Sequence, residues 1–136
     1  MRTRYAVALA LLAGAAIGAV SVGGLSAQSK APGAYAVFVY TAIPDPAGFS
    51  ENVSKDAKTV IEGGGGHILA RAASPKDFTV LRAGENPFPL TRWVLIGFDS
   101  AEQAKKWYDS PAAASGRAYV EKNTTGRAYV VEALKE

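Results

Sequence analysis

The apolar and polar positions of this chain change period several times, and each change marks an element. Ala34 to Thr41 (AYAVFVYT) is rich in β-branched and aromatic residues and apolar on both faces, the pattern of a central strand covered on both sides. Pro44-Asp45-Pro46 breaks it and opens a helix, with Asp45 as N-cap and Pro46 at the first helical position. Phe49, Val53, Ala57, Val60 and Ile61 recur at helical spacing and predict one buried stripe, ended by Gly63 to Gly66. His67 to Ala72 (HILARA) predicts a second strand, and Ser74-Pro75-Lys76-Asp77 a turn. Phe78 to Arg82 (FTVLR) reads as a short strand pairing back as a hairpin, and Ala83 to Pro89 as a loop fixed by Pro87 and Pro89. Arg92 to Phe98 (RWVLIGF) is the third principal strand. Ser100 to Gln103 has capping-box spacing, and Ala101, Ala104, Trp107 and Tyr108 form the stripe of a helix that Pro111 bounds.

The tail repeats a pentapeptide: GRAYV stands at Gly116–Val120 and again at Gly126–Val130. Two readings are open, a hairpin around Lys122–Thr125, or a helical first copy followed by a strand extending through Val131-Glu132-Ala133. Identical pentapeptides can differ in structure because tertiary context overrides propensity.

Ahead of these elements, Arg2 and Arg4 precede an unbroken apolar and small-residue run from Tyr5 to Val22, and Gly23 to Ala27 ends it in small residues. This is the layout of a secretory signal peptide cut after Ala27, which predicts a periplasmic or secreted protein. The run has about the length of a membrane span, so an uncleaved inner-membrane anchor is the alternative. Its many Ala and Gly residues make it weakly apolar for that role. Residues 28–33 are a loose polar lead-in, and 34–136 make one domain.

Charge looks different once the leader is set aside. The chain has 15 basic and 12 acidic residues, and Met1–Ala27 contains two of the basic and none of the acidic ones, leaving a net charge of +1. With no Lys/Arg cluster interleaved with aromatics, nucleic acid is not an expected partner. There is no cysteine and one histidine, so thiol chemistry, disulfides and a His-rich metal site are excluded, and no metal or other cofactor is expected. Stability must come from sheet packing or from association with a second copy.

The order strand, helix, strand with hairpin, strand, helix, strand is the split βαβ pattern of an α+β, ferredoxin-like fold with an antiparallel sheet. It favours helix then strand for the repeat. Onto it fall GGHILAR (Gly65–Arg71), Arg92 opening RWVLIGF, FDS (Phe98–Ser100) entering a helix and WYDSP (Trp107–Pro111) leaving it. From Ala34 to Leu134 the chain resembles the bacterial domain of unknown function 1330 family, in the dimeric alpha-beta barrel superfamily. The resemblance implies a homodimer and small-molecule binding between sheet and helices, and it implies no common activity. The family usually has a Tyr near the position of Ala113 and a Glu before Gly where Arg82-Ala83-Gly84 occurs.

Strict strand alternation puts His67, Leu69 and Arg71 on one face, and Arg92, Val94, Ile96 and Phe98 on one face of another strand. Arg71 and Arg92 suit a carboxylate or phenolate, because a guanidinium offers paired donors. Tyr40, Trp107 and Tyr108 offer stacking surface and hydroxyls. His67 alone has a reference pKa suited to proton transfer near neutral pH, which makes it the candidate catalytic base. Each has a structural alternative: an exposed strand-start histidine, arginines ion-paired to Asp99, Asp109 or Glu132, and Trp107 and Tyr108 as packing residues. Ser110 before Pro111 reads as a cap or turn residue. Gly63–Gly66 follows a helix and precedes a strand, the reverse of a phosphate loop, and reads as a flexible turn.

Three functions stand on these residues. One is a small-molecule pocket lined by Arg71, Arg92, Tyr108 and His67. The second is a cofactor-independent isomerase or monooxygenase acting on a small aromatic or carbonyl compound, and the third a non-catalytic envelope interaction module. The place of His67 relative to the arginines separates the first two, and an enclosed pocket separates both from the third.

Overall fold

A computed structural model describes residues 30–85 and 89–135; the expected leader Met1–Ala27 and Pro87 lie outside the described residues. Four strands, β1 (Ala34–Ala42), β2 (His67–Ala72), β3 (Arg92–Phe98) and β4 (Thr125–Glu132), form one sheet in the order β2-β3-β1-β4. All three pairings are antiparallel. Between β1 and β2 run α1 (Pro46–Phe49), a π-helical stretch (Ser50–Ser54) and α2 (Lys55–Gly63); between β3 and β4 run α3 (Ala101–Tyr108) and α4 (Pro111–Asn123). This is the ferredoxin-like α+β arrangement.

One face of the sheet packs on the helices. Ala36, Val94, Ile96 and Phe98 from the strands meet Ile61, Ala104, Trp107 and Ala113 from the helices in a single cluster. Trp107 is its hinge point, with ring contacts to Phe38, Phe98 and Tyr108 and an indole N–H donated to the Val60 carbonyl at 3.1 Å. The glycine run is shaped around that ring. Any Cβ on Gly64 would collide with Trp107, and Gly65 holds the left-handed conformation (φ 87°) that lets the chain leave α2. The run is therefore a close-packed turn at these positions, where a flexible one was expected.

Helix starts follow their cap residues. Asp45 accepts from the Gly48 N–H at 3.0 Å, Ser100 from Gln103 at 3.1 Å, and Ser110 from Ala113 at 3.3 Å. Pro111 does more than bound α3, because at the first position after the Ser110 cap it starts α4. The first GRAYV copy accordingly lies in α4 and the second in β4.

Two features differ from the pattern read along the chain. Phe78 to Arg82 is not a strand: Val80 is 61% and Leu81 96% exposed. The Asp77 carboxylate accepts from the N–H groups of Ala73 and Ser74 at 2.8 and 3.2 Å and closes a 3-10 turn. Beyond that turn the apolar run pairs with no described strand, and β2 stays an edge strand. The second feature is a β-bulge at Leu69. Ile68 pairs with Ile96, but Ala70 pairs with Leu95 and Arg71 with Val94. The extra residue reverses the alternation beyond it. Arg71 therefore shares the helix-side face with Ile68 and Val94, while His67, opposite Gly97, points to the other side.

Candidate functional site

Between the sheet and the helices lies a cavity of about 650 Å³, in the size range of small-molecule pockets. Its floor is the helix-side face of the sheet: Phe38 and Tyr40 from β1, Ile68 and Arg71 from β2, Arg92 and Val94 from β3. Phe49, the π-helical stretch, α2, Trp107, Tyr108 and α4 form the walls. Tyr40, Arg71, Arg92, Trp107 and Tyr108 thus come together around one space. His67 does not line it. The bulge that turns Arg71 inward leaves the histidine exposed on the opposite face, so the expected grouping of His67 with Arg71 does not occur.

Arg92 is the unusual group. Its guanidinium sits over the Phe49 ring, 5.1 Å from the centroid, and its Nε is buried without a hydrogen-bond partner. Burial, reinforced by the positive charge of Arg71 and opposed by Tyr40, pulls its pKa below the usual arginine value. Among the described residues the one salt bridge is Lys55–Glu51, so the expected ion pairs of Arg71 and Arg92 with Asp99, Asp109 or Glu132 do not form. The topology explains this. Arg92 pairs with Tyr40 at one end of the sheet, whereas Glu132 pairs with Ala34 at the other and Asp99 follows the far end of β3, about 20 Å of extended chain away.

The tyrosines are held neutral. Burial pushes the Tyr40 hydroxyl up to about 12, against the lowering influence of Arg92. Tyr108 is also raised, first by burial and then by Glu121 and Asp109, with Arg117 opposing. Arg117 is a site residue that reading along the chain missed. From α4 it lies over the Tyr108 ring at 5.4 Å and donates to the Tyr108 carbonyl at the end of α3. The signal for it was the Ser110-Pro111 helix start, which makes a helix of the first GRAYV copy. Phe38 and Phe49 were missed too, having read only as core positions. Ser110 is spent on structure, donating to the Trp107 carbonyl at 2.6 Å and capping α4. Among the described residues no cluster of three or more potential metal ligands occurs.

The resulting space has aromatic walls, two uncompensated arginines on its floor and a neutral phenol beside one of them. Such a set can hold an anionic group of a small, flat, otherwise apolar molecule.

Comparison with known proteins agrees with the fold. Residues 33–134 match a family described as a domain of unknown function (DUF1330). No curated protein matches the sequence. Among solved structures, the RPA0582 protein of unknown function from Rhodopseudomonas palustris is similar at 14% identity, covering 85% of this chain and 94% of that one with a TM-score of 0.52. Its methylated form matches at 14% identity over 78% of this chain and 84% of that one, with a TM-score of 0.55. SnoaB, a cofactor-independent oxygenase from Streptomyces nogalater, matches at 15% identity over 78% and 97%, with a TM-score of 0.49.

Proposed function

From the premise that this chain belongs to the DUF1330 family and folds as a ferredoxin-like α+β domain, we propose that it binds a small organic molecule between its sheet and its helices. The observation that carries this reading is the Arg92 guanidinium on the floor of the cavity, which has no carboxylate partner among the described residues. A half-buried guanidinium without a counter-charge is costly, and an anionic ligand would offset that cost. Thermal denaturation of the protein against a panel of small organic acids and neutral aromatics tests it. Compounds should stabilise the wild type, by about 2.7 kcal/mol at a hundredfold excess over Kd, and the acids among them should stabilise Arg92→Met less. A panel in which no compound shifts the transition contradicts the reading.

The isomerase or monooxygenase alternative draws no support from His67, which lies across the sheet from the cavity. A reaction there would need its base from Glu121 or Asp56, the two acids on the lining. The cavity itself weighs against a purely structural interaction module.

In this reading the domain works as a homodimer. The outer face of the sheet presents Val39, Trp93, Leu95, Tyr129 and Val131, and no described helix covers it. Tyr129 is 50% and Val131 48% exposed, as is Leu69 at the bulge. A second copy packed sheet to sheet would bury this surface. The leader reading adds export to the periplasm or beyond, through cleavage after Ala27, with the uncleaved form anchored in the inner membrane.

A further inference from the structure

Resting on the reading of the cavity as a binding site, the geometry points to a narrower ligand class: an aryl or conjugated monocarboxylate, with its carboxylate against the terminal Nη edge of Arg92 and its flat body along the aromatic wall beyond it. Arg92 carries the argument for the carboxylate. One face of its guanidinium is covered by Phe49, which leaves its edges for a ligand. Nε itself is buried, so the edge left for a ligand is the one between the two terminal Nη groups. That edge presents two parallel N–H donors, one from each Nη, whose spacing matches the two oxygens of a carboxylate. The single oxygen of an alcohol, ketone or phenolate meets one of them well and the other poorly. A carboxylate also has lone pairs to spare after accepting both, and these suit the neutral Tyr40 hydroxyl and the Arg71 guanidinium on the same floor.

Charge and shape narrow the class further. The side chains on the lining include Arg71, Arg92 and Arg117 against Asp56 and Glu121, whereas Arg127, paired with Val39, turns its side chain to the outer face of the sheet. Arg117 is already engaged with the Tyr108 carbonyl. Away from the arginine end the surface is Phe38, Val60 and Trp107, where a second carboxylate would lose its hydration without gaining a partner. Phe38 packs directly on Trp107 and Tyr108, with ring centroids 6.0 and 6.3 Å apart, and the three present one aromatic wall that suits a flat conjugated body better than a branched aliphatic one.

The test titrates full-length protein carrying Trp93→Phe, so that Trp107 on the cavity wall reports binding by its fluorescence. The probes are trans-cinnamate, methyl cinnamate and cinnamyl alcohol, which share one conjugated body. Trans-cinnamate should bind at least about tenfold more tightly than the ester or the alcohol, the scale of a bidentate charge-assisted pair. Arg92→Met and Arg92→Lys should each bring the acid down to the level of the ester and leave the ester unchanged. Tyr40→Phe should weaken the acid by a smaller factor. Equal binding of acid, ester and alcohol overturns the carboxylate class and leaves the cavity as a binding site. No binding of the three, while other compounds of the thermal panel do bind, overturns the aryl-acid class alone. No binding in either experiment overturns both readings.

Discussion

Arg92 separates binding from folding at the scale of a single residue. A structural arginine would be paired with a carboxylate, and its loss would destabilise the chain. Arg92 instead has a buried Nε without a partner and a like charge, Arg71, beside it. Arg92→Met, which keeps the stem and removes the charge, should leave stability unchanged or raise it by about 1 kcal/mol, as measured by urea denaturation. A loss of several kcal/mol would mean that the guanidinium holds the fold. Tyr40 gives a second residue-scale prediction. Its folded pKa of about 12 lies above the ordinary value of 10.0, so the folded state holds the proton more tightly. The stabilisation is complete below pH 10 and is lost as pH rises from there through 12, amounting to about 2–3 kcal/mol. Tyr40→Phe should flatten that part of the alkaline stability profile, measured by denaturant titration at each pH.

Elements were readable along this chain where a local residue forces the geometry. Asp45, Ser100 and Ser110 each cap the helix that follows, and proline at the first helical position marks two of those starts. The arginines, Tyr40, Trp107 and Tyr108 could be named from strand and helix patterns because the core spacing places them. The failures have non-local causes. The bulge at Leu69 has no glycine or proline to announce it, yet it decides that Arg71 and not His67 shares the cavity with Arg92. FTVLR has strand composition, but strand formation needs a partner edge, and beyond the Asp77-closed turn it pairs with none among the described residues. The two GRAYV copies show the same dependence, one helical behind a Ser-Pro cap and one extended beside β1. The turn after α2 offers a clean test at this scale. Gly65→Ala forces a Cβ into the left-handed region and against the Gln103 amide, which also accepts the Asp99 N–H. It should cost about 1–2 kcal/mol in urea denaturation, whereas Gly63→Ala, whose Cβ meets nothing within 4 Å, should be neutral or mildly stabilising.

At the scale of the whole molecule, the two faces of one sheet have separate tasks. The helix-side face builds the core and the cavity, and the outer face is apolar with no described helix over it. If a second copy covers that face, Tyr129→Asp combined with Val131→Asp should convert a dimer into a monomer in analytical ultracentrifugation, with little change in the far-ultraviolet spectrum. A wild type that sediments as a monomer at micromolar concentration would remove the homodimer from the account. The claim that everything else depends on is that a ligand meets Arg92 inside the cavity. It is tested most directly by following the Arg92 Nε–H signal in 1H–15N NMR spectra, assigned by its loss in Arg92→Lys, while trans-cinnamate is added. The account predicts a saturable downfield movement of that signal together with the Trp107 indole N–H, and no movement of the Trp93 indole on the outer face. A stationary Arg92 Nε–H with shifts centred on Trp93 and His67 would contradict it.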